Sequence, residues 1–73
     1  LYSDGRVDEA LGLLEEAHRR HPYDAELVSG LATLNRDAGR AGPALRWARE
    51  LVELLPGDAQ ALQLLQELER ARK

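Results

Sequence analysis

The sequence predicts an all-α fold of antiparallel helix-turn-helix repeats, and three observations support that prediction. The pattern of Gly, Pro and Asp residues between Gly5 and Asp24 recurs 34 residues later, between Gly39 and Asp58. Of the 39 residue pairs that this offset aligns, 11 are identical, whereas composition alone would produce about four. Apolar residues recur at helical spacing, and the composition is dominated by residues that favour helices, above all Leu, Ala, Arg and Glu.

Composition and charge restrict the class of protein. A chain of 73 residues makes one small domain, which buries about 60% of its unfolded surface. The absence of Cys excludes a disulfide framework and a thiol nucleophile, and it leaves the cellular compartment open. Charges of both signs are intermixed and sum to −3, so we expect no nucleic-acid or anionic-membrane surface. No apolar run approaches the roughly 20 residues that cross a bilayer.

Prolines and aspartates divide the chain into four predicted helices. Pro22 and Pro56 cannot donate a backbone hydrogen bond and disfavour helical geometry in the preceding residue, so each ends a helix. Asp24 and Asp58 then cap the next helix with a side-chain oxygen. The predicted helices span residues 7–21, 25–38, 43–55 and 59–72.

The start of the chain is interpreted from the repeat. Gly5 aligns with Gly39, so Gly5 and Arg6 are predicted to form a turn, since Gly suits the left-handed conformation that closes a helix. Residues 1–4 are then the last turn of a helix that is mostly missing. The chain is therefore expected to be a piece of a longer protein.

Apolar stripes predict the core. Trp47 is predicted to be buried because its repeat counterpart, Leu13, is also apolar. Ala10 and Ala44 share one repeat position, where we expect helices to approach closely. For Asn35 two alternatives stay open, a hydrogen bond across helices or partial exposure. The stripe of the first helix comprises Val7, Ala10, Leu11, Leu13, Leu14 and Ala17, and that of the fourth comprises Ala61, Leu62, Leu64, Leu65, Leu68 and Ala71.

At this spacing the chain resembles the tetratricopeptide repeat, a 34-residue helix-turn-helix unit that has a Pro at its end. Ala10, Leu14 and Pro22 match the signature of the second helix of that unit. Ala44 and Pro56 match the same signature one repeat later.

The first helix of the complete unit resembles the family less closely. Leu31 and Ala32 are similar to its Leu-Gly pair, but Val28 and Asn35 stand where Trp and Tyr are usual. Ala48 also stands where the second helix usually has a large residue. The repeats are nevertheless expected at residues 1–24 (partial), 25–58 (complete) and 59–73 (terminal capping helix).

The resemblance implies a right-handed superhelix whose first-type helices line a concave groove that binds a peptide or a helix of another protein. The second and fourth helices would line it here, and a merely solvated face is the alternative. Chaperone-binding members clamp a partner's carboxylate with Lys, Asn and Arg, which this chain lacks at those positions. The implied groove residues are Glu26, Ser29, Thr33, Arg36, Asp37, Gln60, Gln63, Glu67 and Arg70.

A second hypothesis makes the segment a C-terminal capping or self-association module of a larger protein, whose upstream part could be an enzyme. Its partner would be a second copy, forming a homodimer through apolar surface on Val7, Leu11 and Leu14 that the missing helix leaves exposed. Within the segment itself no enzyme activity, metal or cofactor is expected. His18 and His21 are interpreted as histidines at a helix end, where a positive charge suits the helix dipole.

Overall fold

The computed structural model describes residues 4–71, and they form four helices joined by short turns. Their bounds are α1 (Asp4–Arg20), α2 (Ala25–Asp37), α3 (Ala41–Leu54) and α4 (Ala59–Ala71). Each helix packs against the helices before and after it in the chain, and the α2–α3 pair has the most extensive contact. The predicted all-α helical repeat is confirmed, while the handedness of the stack and the repeat boundaries stay predictions.

The predicted turn at Gly5 and Arg6 is wrong, because both residues lie within α1. Their counterpart Gly39 does turn the chain: its φ is +80°, and its N–H bonds to the carbonyl of Arg36 at 3.0 Å. At Gly5 the helical backbone simply continues, since a helical Gly costs only about 1 kcal/mol relative to Ala. Of the helix end that was expected in residues 1–4, residues 1–3 lie outside the described part of the chain. The predicted end of the fourth helix at Arg72 lies outside it as well.

The other turns follow the predicted punctuation. In both, the N–H of the aspartate bonds to a carbonyl three residues back, Asp24 to His21 at 3.1 Å and Asp58 to Leu55 at 3.0 Å. Both aspartates cap the next helix as predicted. Oδ1 of Asp24 accepts from the N–H of Glu26 at 2.9 Å, and Oδ1 of Asp58 accepts from Gln60 at 2.8 Å.

One continuous core runs through the stack. The prediction that Trp47 is buried is confirmed, since only 8% of it is exposed. Its counterpart Leu13, however, is 69% exposed, and Leu62 is 39% exposed, so the prediction that these two lie in the core is wrong. Ala71 is also exposed. The buried apolar residues are Val7, Leu11, Val28, Leu31, Ala32, Ala44, Leu45, Trp47, Ala48, Leu51, Ala61, Leu64 and Leu68.

The apolar surface expected at the start of the chain is not exposed. Val7 and Leu11 are each 5% exposed, and Leu14 is half-buried beside Gly30 of α2. The expectation was wrong because these residues lie on the face of α1 that packs against α2 within the same chain. A homodimer through this face therefore loses its structural basis.

Asn35 satisfies neither of the two alternatives. It is 3% exposed, and its Nδ2 donates to the carbonyl of Leu31 in its own helix at 2.8 Å. A polar side chain is thus tolerated in the core because a carbonyl one turn back accepts its hydrogen bond.

Candidate functional site

A groove runs between α2 and α4, with a volume of about 320 Å³. We call it the α2–α4 groove. Helix α3 closes its bottom, because α3 packs against both of the flanking helices. The groove is lined by Ala25, Glu26, Ser29, Thr33, Leu51, Leu55, Asp58, Gln60, Ala61 and Leu64.

The floor of the groove is apolar. Leu51 lies in the last turn of α3 and Leu55 directly follows that helix, while Ala61 and Leu64 come from the first turns of α4. Three of these belong to the buried core, while Leu55 is 36% exposed. Apolar floors flanked by a few polar groups are typical of sites that bind a ligand by burying it.

The nine residues predicted for the groove divide into three groups. Glu26, Ser29, Thr33 and Gln60 line the groove. Arg36, Asp37 and Glu67 take part in ion pairs beyond its far end, and Gln63 and Arg70 are exposed on α4 outside the lining. The part that any of the nine plays in binding stays a prediction.

An ion pair bridges the two flanking helices. Nη1 of Arg36 lies 3.6 Å from Oε1 of Glu67, and its Nε donates to Oδ1 of Asp37 at 3.2 Å. The three side chains are between 41% and 55% exposed, so water screens the pair and its contribution to stability is small. Two of the three guanidinium nitrogens of Arg36 therefore face carboxylates of this chain.

The hydroxyl of Thr33 is turned toward its own helix. Oγ1 of Thr33 donates to the carbonyl of Ser29 at 3.0 Å or of Gly30 at 3.3 Å. A hydroxyl has one proton, so Thr33 can offer the groove only an acceptor.

Sequence reasoning missed the floor. Leu51, Leu55 and Asp58 line the groove but are not among the nine predicted residues, and the sequence predicts for Asp58 only a cap. The available signal was the wide apolar arc of α3, which indicates a helix packed on two sides. A residue at the seam between those two sides then faces the gap between α2 and α4.

A second cleft, which we call the α1–α3 cleft, lies on the other pair of helices and has a volume of about 470 Å³. Two of its charged side chains contact each other across it, since Nη2 of Arg40 donates to Oδ1 of Asp8 at 2.7 Å. Arg46 stacks over the ring of Trp47, with its guanidinium carbon 5.4 Å from the centroid. Side chains that are paired with each other in this way are less available to bind a partner.

His18 joins α1 to α3. Its Nε2 lies 2.9 Å from Oε2 of Glu50, and its ring meets Trp47 edge to face at 4.9 Å between centroids. The sequence interpretation as a helix-end histidine is incomplete, because His18 is also an inter-helix contact. His21 is exposed just after α1 ends.

Within residues 4–71, no three His, Asp or Glu side chains come close enough to hold a metal ion. The helices of that same part of the chain are also too short or too polar for any of them to cross a membrane.

Comparison with known proteins places the helices in a family. A family model described as tetratricopeptide repeat matches residues 1–68. No curated protein and no solved structure matches the chain significantly. The match covers α1 to α3 and nearly all of α4, and so includes every residue of the α2–α4 groove.

Proposed function

Since the chain belongs to the tetratricopeptide repeat family, whose members are generally protein–protein interaction modules, we propose that it is a non-catalytic scaffold that binds a peptide or helix of another protein in the α2–α4 groove. The observation that supports this site is its apolar floor between two polar walls. The floor supplies apolar area to bury, and the walls supply acceptors and donors for a backbone.

The size of the groove sets the kind of contact. A volume of about 320 Å³ holds one or two side chains, not a folded domain. An extended segment or one face of a helix fits that limit, and it would place an apolar side chain over Leu55 while its backbone runs along Ser29 and Gln60. Such a contact is small, so we expect weak, reversible binding by the segment alone.

The test is to fill the groove. Ser29→Tyr adds an aromatic ring to the wall, and Gln63→Tyr adds the same ring to an exposed position on α4 outside the lining. We expect proteins retained from a lysate by the unaltered chain to be lost with Ser29→Tyr and kept with Gln63→Tyr. Equal retention by both variants, at equal melting temperature, would show that partners bind elsewhere.

Charge reversal at Arg36 and Arg70 tests whether the C-terminal ends of α2 and α4 also contribute to binding. Arg36 is already paired with Glu67, so reversal breaks the bridge between α2 and α4 as well as removing a possible contact. Retention that survives Arg36→Glu and Arg70→Glu but not Ser29→Tyr would restrict the binding site to the groove.

A second candidate function, a terminal cap of a longer stack, is favoured by the polarity of α4. Where α2 buries Ala32 and Asn35, the same repeat positions of α4 hold Gln66 and Glu69, which are exposed. Large polar side chains at these positions discourage a further helix from stacking there. We expect Gln66→Ala with Glu69→Leu to raise the solution mass at high concentration, as measured by light scattering. An unchanged mass would count against the capping function.

A further inference from the structure

The α2–α4 groove is acidic at the end where both flanking helices begin. Glu26 and Asp58 line it there, and Asp24 caps α2 at the same end. Every ionisable residue of the lining is a carboxylate. The two helix N-termini oppose this charge with about +0.5 each, and Arg20 of α1 lines a surface pocket together with Asp24, so a net charge of about −1 remains.

The cations of the flanking helices are too far away to neutralise that end. Arg36 follows Glu26 by ten residues, which is about 15 Å along a helix. That exceeds the screening length of about 8 Å at physiological ionic strength. Arg36 also faces Asp37 and Glu67, so its own charge is already compensated.

The uncharged polar groups of the groove can all accept a hydrogen bond from a donor on the ligand. Thr33 offers only an acceptor, because its proton is donated within α2. Ser29 and Gln60 can accept as well as donate. Directly below these groups lies the apolar floor, where Leu55 is the most exposed member.

From this arrangement we propose that the groove selects a segment of another protein in which a large apolar side chain lies within two residues of a Lys or Arg. The apolar side chain occupies the floor at Leu55 and Leu64, and the basic group lies between Glu26 and Asp58. This specificity rests on the proposed function, since it requires that the groove binds a segment at all. Charge complementarity of this kind gives specificity and a salt-dependent association rate.

The experiment uses a random library of dodecapeptides displayed on phage and selected on the unaltered chain. Enriched peptides are then synthesised with a fluorophore, and their affinities are measured by anisotropy. The test variant is Glu26→Gln with Asp58→Asn, because Asn caps helices as well as Asp does and so preserves the start of α4. The matched control is Glu9→Gln with Glu69→Gln, which makes the same charge change at exposed positions outside the groove.

We expect enriched peptides to carry Lys or Arg beside an apolar residue. Their affinity should fall at least tenfold in the test variant and less than twofold in the control, and it should weaken as salt is raised. Replacing the basic residue of the peptide by Gln should remove the difference between the two variants.

Two other results overturn the proposal, and Ser29→Tyr tells them apart. If Ser29→Tyr abolishes peptide binding but Glu26→Gln with Asp58→Asn leaves the affinity unchanged, the preference for a basic residue is refuted and binding in the groove is not. Peptides that still bind Ser29→Tyr, or a library with no enrichment, would refute both the specificity and the proposed groove.

Discussion

Two leucines on equivalent helices differ in burial, and that difference predicts a difference in stability that can be measured directly. Leu31 is fully buried on α2, whereas Leu62, on the equivalent helix α4, is 39% exposed. Leu→Ala removes about three carbon groups, worth about 2.4 kcal/mol of transfer free energy at about 0.8 kcal/mol each. At Leu31 a cavity penalty adds to this, so we expect a loss of about 3 kcal/mol in the free energy of unfolding.

At Leu62 the loss should be smaller for two reasons. Only about three-fifths of the transfer free energy applies, or about 1.5 kcal/mol, because the rest of the side chain is already in water. No closed cavity forms, since solvent fills the space. Each kcal/mol corresponds to about 4–8 °C of melting temperature in a domain of this size, so the two variants should differ by about 6–12 °C.

The assay is urea unfolding followed by the fluorescence of Trp47, the single tryptophan of the chain, with far-UV circular dichroism as a second probe. The dependence of free energy on urea should keep its slope, because neither variant changes the exposed surface much. A Leu31→Ala chain that is already unfolded in buffer also agrees, since a marginal domain of this length has roughly 4–11 kcal/mol in total. Equal losses in the two variants would refute the assignment of Leu31 to the core.

Three further pairs of variants test the turns and the close helix contact. Asp24→Ala should lower the free energy of unfolding by about 1 kcal/mol and Asp24→Asn should not, because only Ala lacks the capping oxygen. Gly39→Ala should cost about 1–2 kcal/mol at its positive φ, whereas Gly12→Ala, exposed within α1, should stabilise by up to about 1 kcal/mol in thermal melts. Ala44→Leu should lower the free energy of unfolding by about 1–3 kcal/mol, because the larger side chain overpacks a fully buried site. Ala10→Leu, at the half-buried counterpart, should lower it less, as measured by urea titration. Equal losses would contradict the difference in burial between the two positions.

Part of the polar wall of the groove could be predicted from the sequence, but its floor could not. The spacing of Glu26 and Ser29 predicts that they share a face of α2, because residues three apart lie on one side of a helix, and both line the groove. Leu51 lies in α3 and Leu55 directly follows it, and no spacing within α2 or α4 indicates that α3 reaches under the gap between them. Asp58 had an evident role as a cap, and its second position on the groove wall depends on how α4 lies against α2.

The sequence by itself determined the four helices, their 34-residue repeat and the helix ends marked by Pro and Asp, because proline geometry, capping and apolar period act over a few residues. Only the tertiary structure decided which equivalent residues are buried. Leu13 and Trp47 share one repeat position, yet the first is 69% exposed and the second 8%. Trp47 is covered because α1 precedes its helix and brings His18 against its ring, whereas no helix precedes α1 within residues 4–71. Burial in a stack of repeats is a property of the neighbouring helix, and local sequence does not encode that neighbour.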